Sequence, residues 1–161
     1  MLNLRWDMGQ RLYLPGTLIK KMIKTILLVE DDELDVISVK RTLSKLAFPH
    51  ELFIAHNGKE AIDFLDSKGE AELPDVILLD LNMPKMNGIE FLQKIRYQLR
   101  YQDLKVFVMT TSNETSDRSK THDLGISGYI IKPMSYTDNI KNPDSMEAFV
   151  QFHLTKIFSE T

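Results

Sequence analysis

Asp80 is a lone acid in an otherwise apolar run, Val76–Leu79 with Leu81, inside the stretch PDVILLDLNMPKMNG (74–88). Pro74 ahead of the run, with Pro84 and Gly88 behind it, marks a short buried strand rather than a helix. A carboxylate buried there is costly unless hydrogen bonds, a metal or a partner charge compensate it. Three other apolar runs end in residues that could do so: Glu30-Asp31-Asp32, Thr110 and Lys132-Pro133. Asp31, Asp32 and Asp80 are hard oxygen ligands suited to Mg²⁺, which is held by one or two carboxylates and keeps several waters. A carboxylate beside such a cation, with an amine and a hydroxyl nearby, is equipped to attack phosphorus and to hold the resulting acyl phosphate. In that chemistry Lys132 neutralises charge on the phosphoryl oxygens and Thr110 hydrogen-bonds to one of them. Asp80, the most strand-embedded acid, is the best nucleophile candidate.

Taken singly, each feature has an ordinary explanation. Acids ahead of a helix complement its dipole, Thr is a good strand residue, and Lys-Pro is a turn. Their weight comes from convergence, which depends on the elements that carry them. The runs TILLVE (25–30), ELFIAH (51–56), 75–80, KVFVMT (105–110) and GYIIK (128–132) read as five strands. Between them lie helical stripes: Val36, Val39, Leu43 and Leu46 within 34–46; Ala61, Ile62 and Leu65 after Asn57-Gly58; Ile89, Leu92, Ile95 and Leu99. A polar segment over 115–124 reads as a fourth helix ending at Gly125. A last helix, capped by Asp144 or Ser145, carries Met146, Val150, Leu154 and Ile157. Five strands alternating with five helices predict an α/β domain whose doubly wound, mainly parallel sheet is covered on both faces. In such sheets ligands bind outside the carboxyl ends of the strands, where Asp31, Asp32, Asp80, Thr110 and Lys132 all fall.

Composition narrows the alternatives. The chain has 161 residues, long enough for one domain with a substantial core. A net charge of −3 without a basic stripe gives no case for nucleic-acid binding. Zero cysteines exclude disulfides, thiolate catalysis and cysteine-ligated zinc. The four histidines, His50, His56, His122 and His153, lack ligand spacing. No apolar run approaches the ~20 residues of a membrane span, and the N-terminus has no continuous apolar centre of a signal peptide. The expected location is cytoplasmic. Residues 1–21 fall outside the alternation and are expected to be an upstream mis-start, an expression remnant or a loosely docked extension; 22–161 is the expected domain.

The motifs LLVEDD (27–32), LLDLNMPKMNG (78–88), the Thr of VFVMTTS (106–112) and SGYIIKP (127–133) closely resemble the receiver domain of two-component response regulators. The resemblance covers about residues 22–160. Spacing agrees too, with Thr110 lying 30 positions after Asp80 and Lys132 another 22 beyond it. The resemblance implies a flavodoxin-like strand order 2-1-3-4-5 and a phosphorylation-gated switch that takes a phosphoryl group from a histidine kinase, or a phosphotransfer protein, onto Asp80. It implies Mg²⁺ held by Asp31, Asp32, Asp80 and the backbone carbonyl of Asn82, with Lys132 and Thr110 reading the phosphate. Tyr129 matches the aromatic switch position that responds to Thr110, and the Lys132–Pro133 peptide is expected to be cis.

Some features are less usual for that family. Thr111 stands where a small residue is common, the fourth helix is unusually polar, and the connection SYTDNIKNPDS (135–145) is long. With TTS, that connection is similar to the single-domain regulators paired with bacterial phytochromes. About 16 residues follow Ser145, enough for one helix and too few for a DNA-binding output domain. Signalling by protein contact to a downstream target is therefore expected, with Phe152 available for a homodimer or target surface. Self-phosphorylation and self-dephosphorylation, rather than turnover, would be the chemistry. A haloacid dehalogenase-type phosphatase wants a second acid two residues after its nucleophile, and the chain has Asn82 there. A pseudo-receiver would not need the intact acid, Thr and Lys set. Flavodoxin-type cofactor binding is disfavoured by acids in the first turn, and no P-loop or dinucleotide glycine pattern is present.

Overall fold

In a computed structural model the described residues are 5–6, 12–14, 17–18, 23–110, 119, 121–132 and 149–159. Three short strands, β1 (Arg5–Trp6), β2 (Leu12–Leu14) and β3 (Thr17–Leu18), pair antiparallel in that order, outside the main sheet. The main sheet has five parallel strands: β4 (Lys24–Val29), β5 (His50–Ala55), β6 (Val76–Asp80), β7 (Val106–Thr110) and β8 (Gly128–Ile131). Their spatial order is β5-β4-β6-β7-β8, the 2-1-3-4-5 order that the resemblance implies. The winding direction reverses between β4 and β6, so a crevice opens at their carboxyl ends.

β4 and β6 are buried along their whole length, which is why both read as continuous apolar runs without alternation. Side chains alternate between two cores. One face gathers Leu27, Val29, Ile77, Leu79, Val106 and Val108 with residues of α2 (Gly58–Asp66) and α3 (Gly88–Arg96). The other gathers Ile26, Leu28, Leu78, Phe107, Met109 and Ile130 with α1 (Glu33–Leu43) and the C-terminal helical segment. Helix starts are set by side-chain caps: Asp32 for α1, Asn57 for α2 and Asn87 for α3, the last within a capping box with Glu90.

Two elements depart from the expected stripes. α3 ends at Arg96, so Leu99 falls beyond the helix and is 84% exposed; Tyr101 fills the core instead and donates its hydroxyl to Asp66 at 2.5 Å. Near the C-terminus, Phe149–Leu154 forms a π-helical segment that continues as an α-helix over Thr155–Ser159. The wider π turn brings Phe149, Leu154 and Phe158 into the core, five and four residues apart, while Val150 and Ile157 pack only partly. A stripe drawn at 100° per residue therefore missed both phenylalanines. The expected cap at Asp144 or Ser145, Met146, Thr111, the Lys132–Pro133 peptide and most of the fourth helix lie outside the described residues, as does the Phe152 side chain. No helix among the described residues is long and apolar enough to cross a membrane.

The amino-terminal end of the sheet is tied by Arg96. Its guanidinium donates to the carbonyls of Leu124 (2.8 Å), Leu104 (3.0 Å), Gly125 (3.1 Å) and Tyr101 (3.3 Å). The loops entering β7 and β8 are thereby held to the end of α3. At the opposite end of α3 the chain passes so close to β6 that a side chain does not fit: a Cβ on Gly88 would stand 2.4 Å from the Asp80 carbonyl oxygen and 2.8 Å from Leu81 Cα. Gly88→Ala is expected to destabilise the fold by about 1–3 kcal/mol, seen as a lower midpoint in urea unfolding; an unchanged midpoint would mean that the contact relaxes freely.

Candidate functional site

Asp80 is the last residue of β6, paired in register with Met109 of β7. The preceding four residues are apolar and buried, so the strand delivers the carboxylate to the rim and stops. Glu30, 1% exposed, is the first residue after β4, and its N–H donates to the Ala55 carbonyl at 2.9 Å. Lys132 follows β8, anchored by its N–H on the Thr110 carbonyl at 2.7 Å. Its ammonium reaches across the rim to Glu30 Oε2 (2.5 Å), Asp35 Oδ2 (2.7 Å) and Asp80 Oδ1 (3.1 Å). The other Asp80 oxygen, Oδ2, accepts the Asn82 N–H at 2.9 Å.

The electrostatics follow from burial and crowding. Burial raises the Asp80 pKa, and the nearby Asp31 charge adds to the rise; Lys132 and the Asn82 N–H oppose it without cancelling it. Glu30 is likewise raised, chiefly by burial, against its bonds from Lys132 and the Asp32 N–H. For Lys132 burial acts to lower the pKa, but the hydrogen bonds to Asp35 and Glu30 and the attraction of Asp80 outweigh it. Its ammonium is held well above the ordinary lysine range. Carboxylate oxygens of Glu30, Asp31 and Asp80 lie within 4.8 Å of one another, with Asp31 exposed at the mouth. This clustered set of hard oxygens fits a divalent cation that retains waters, and one ammonium does not neutralise it.

Of the residues singled out from the sequence, the structure brings Asp31, Asp80 and Lys132 together and places Asp32 elsewhere. Asp32 is exposed, and its Oδ1 accepts the N–H groups of Leu34 (2.8 Å) and Asp35 (3.3 Å) as the cap of α1. The acid that groups with Asp31 and Asp80 is Glu30, one position before the expected pairing of Asp31 with Asp32. The cause is the end of β4 at Val29, which leaves Glu30 next to the sheet. An acid directly ahead of an apolar helical stripe is a cap signal that could have identified Asp32 in the sequence. Asn82 meets the site through its N–H. Asp35 had no sequence signal beyond its place in the first turn of α1.

Thr110 ends β7 on the face that carries Val106 and Val108, half-buried beside the rim. Tyr129 is the register partner of Val108 and packs against the same core. Its hydroxyl is 2.7 Å from that of the fully buried Thr121. Tyr129, half-buried, thus ties β8 to the segment before it.

This fold and rim define a class, and comparison with known proteins bears it out. The response regulator receiver domain family matches residues 26–142, and the chain belongs to that family. It is 36% identical over 129 residues to the response regulator Rcp1 of Synechocystis sp., spanning 78% of this chain and 88% of that protein. Among solved structures, the phosphorylated cyanobacterial phytochrome response regulator RcpA is 32% identical with a TM-score of 0.68, covering 80% of this chain and 94% of RcpA. The Mn²⁺-bound form of Rcp1 is 36% identical with a TM-score of 0.67, covering 78% and 93%.

The raised Asp80 pKa has a consequence for stability. The folded protein binds that proton more tightly than the unfolded chain, which favours folding below the ordinary aspartate range; the benefit is lost as pH rises through the raised value. At neutral pH the charged group is a cost. With divalent metal chelated, Asp80→Asn is expected to stabilise the protein by about 1 kcal/mol at pH 7, and the gain should disappear near pH ~3. Urea melts across that range check it, and a variant less stable at pH 7 would contradict the reading.

Proposed function

We propose that this receiver domain is a phosphorylation-gated signalling switch whose phosphoacceptor is Asp80. The observation that supports this most directly is the buried Lys132 ammonium 3.1 Å from the Asp80 carboxylate, at the rim where β4, β6 and β8 end. The donor is a phosphohistidine on a sensor kinase or a phosphotransfer protein, or a small acyl phosphate. An Asp80 oxygen forms a bond to phosphorus as the donor's P–N or P–O bond breaks, and that bond's electron pair leaves with the donor group. Asp31, Asp80 and the Asn82 carbonyl, with Glu30 in the place first given to Asp32, would hold Mg²⁺; when bound, the ion supplies charge neutralisation to the phosphoryl oxygens. Lys132 donates to those oxygens from the opposite side, and Thr110 offers its hydroxyl. Water reverses the modification by cleaving the acyl phosphate. The chemistry is therefore a self-limited cycle on one residue, not turnover of free substrates.

The output is a shift between two arrangements of β7, the segment after it and β8. Thr110 and Tyr129 share one face of adjacent strands, so movement of one toward phosphate frees space for the other. A protein target, or a second copy of the chain, reads that change by contact. Single-domain regulators such as Rcp1 and RcpA, the latter described as a phytochrome response regulator, are the similarity on which a phytochrome-type kinase partner is proposed.

Incubation with acetyl phosphate and Mg²⁺ is expected to add a single phosphoryl group, seen in the intact mass. Asp80→Asn should abolish it. Undiminished labelling of that variant would remove Asp80 from its role.

A further inference from the structure

An ammonium has three N–H donors, and each lies against a different carboxylate: Glu30 at 2.5 Å, Asp35 at 2.7 Å and Asp80 at 3.1 Å. The donors of Lys132 are thus committed before any phosphoryl group arrives, and the longest of the three contacts is the one to Asp80. Glu30 is 1% exposed and is braced by a second hydrogen bond from the Asp32 N–H, so its hold on Lys132 is fixed. Asp35 differs. Its side chain is 26% exposed, it stands in the first turn of α1, and water can rehydrate it. Its backbone N–H is bonded to the Asp32 cap, which sets the helix start that turns Asp35 toward Lys132.

We propose that Asp35 is a positioning residue that holds Lys132 on the α1 side of the pocket and competes with the phosphoryl group on Asp80 for its N–H donors. The inference rests on the function proposed above. When an Asp80 oxygen bonds to phosphorus, the bond from phosphorus to the donor's leaving oxygen breaks, and that oxygen departs with the electron pair as a carboxylate. The Asp80 carboxylate becomes a neutral acyl group, while the phosphoryl group brings up to about two negative charges and three terminal oxygens. The N–H that served Asp80 passes to one of those oxygens. A second N–H can come only from Glu30, which is buried and braced, or from Asp35, which is not. Asp35 also presents to that ammonium a negative charge like the phosphoryl group's own, drawing it from the phosphoryl group and shortening the life of the modified state.

The test compares the full chain with Asp35→Asn and Asp35→Glu, using acetyl phosphate and Mg²⁺ for uptake and following loss of the phosphoryl group by intact mass after the donor is removed. Asp35→Asn keeps an acceptor and removes the charge. It should take up phosphate faster and retain it about three- to fivefold longer. Asp35→Glu should stay near the unsubstituted protein. A merely structural role would lower the unfolding midpoint of Asp35→Asn without lengthening retention, so the two are measured together. If Asp35→Asn does not fold, Asp35→Ser takes its place with the same expectation. An unchanged or shorter retention time in a folded, uncharged variant overturns the inference, as would equal lengthening in Asp35→Glu. Failure of the unsubstituted protein to accept any phosphoryl group would instead overturn the proposed function, and the competition with it.

Discussion

The contact that organises this molecule is one buried ammonium among carboxylates. Lys132 comes from the end of β8, Glu30 from the end of β4, Asp80 from the end of β6 and Asp35 from the first turn of α1. These carboxylates would not be stable side by side without a cation, and Lys132 would not be stable at 5% exposure without them. The ammonium and the carboxylates taken as a set are therefore each a condition for burying the other. The parallel sheet supplies what the contact needs: strands that all point the same way, and a reversal of winding that leaves their ends uncovered.

The same contact explains why the pocket is built for a further positive charge. One ammonium balances one of the acids that it touches, and Asp31 adds another at the open side. Burial raises Asp80 and Glu30 rather than relaxing them, so the folded protein carries unfavourable charge at neutral pH. A site of this kind gains from a ligand that brings positive charge and from chemistry that removes the charge of a carboxylate. The phosphorylation of Asp80 proposed above would do the second while importing anionic oxygens, which is why the placement of Lys132 matters.

Much of this architecture was legible in the sequence because it rests on strong local signals. The five strands are short runs bounded by turns, and their ends fell within a residue of those read from the sequence. The acids, Thr110 and Lys132 could be assigned to one rim because a parallel sheet places strand ends together. What escaped was phase. The acidic pair that meets Asp80 is Glu30 and Asp31, one position before the expected pair, and that depended on where β4 stops. Leu99 was read as part of a helix that ends three residues earlier, and Phe149 and Phe158 enter the core through a π turn that no regular period describes. Asp35 was invisible for another reason: an acid in a first helical turn is ordinary, and only its distance to Lys132 distinguishes it.

The two ends of the sheet are secured by different kinds of bond. At the rim, charge meets charge between groups that exchange protons in acid; at the base, Arg96 grips main-chain oxygens that never titrate. The rim's carboxylates are discharged in acid, whereas the Arg96 clasp on the loops that feed β7 and β8 keeps its bonds.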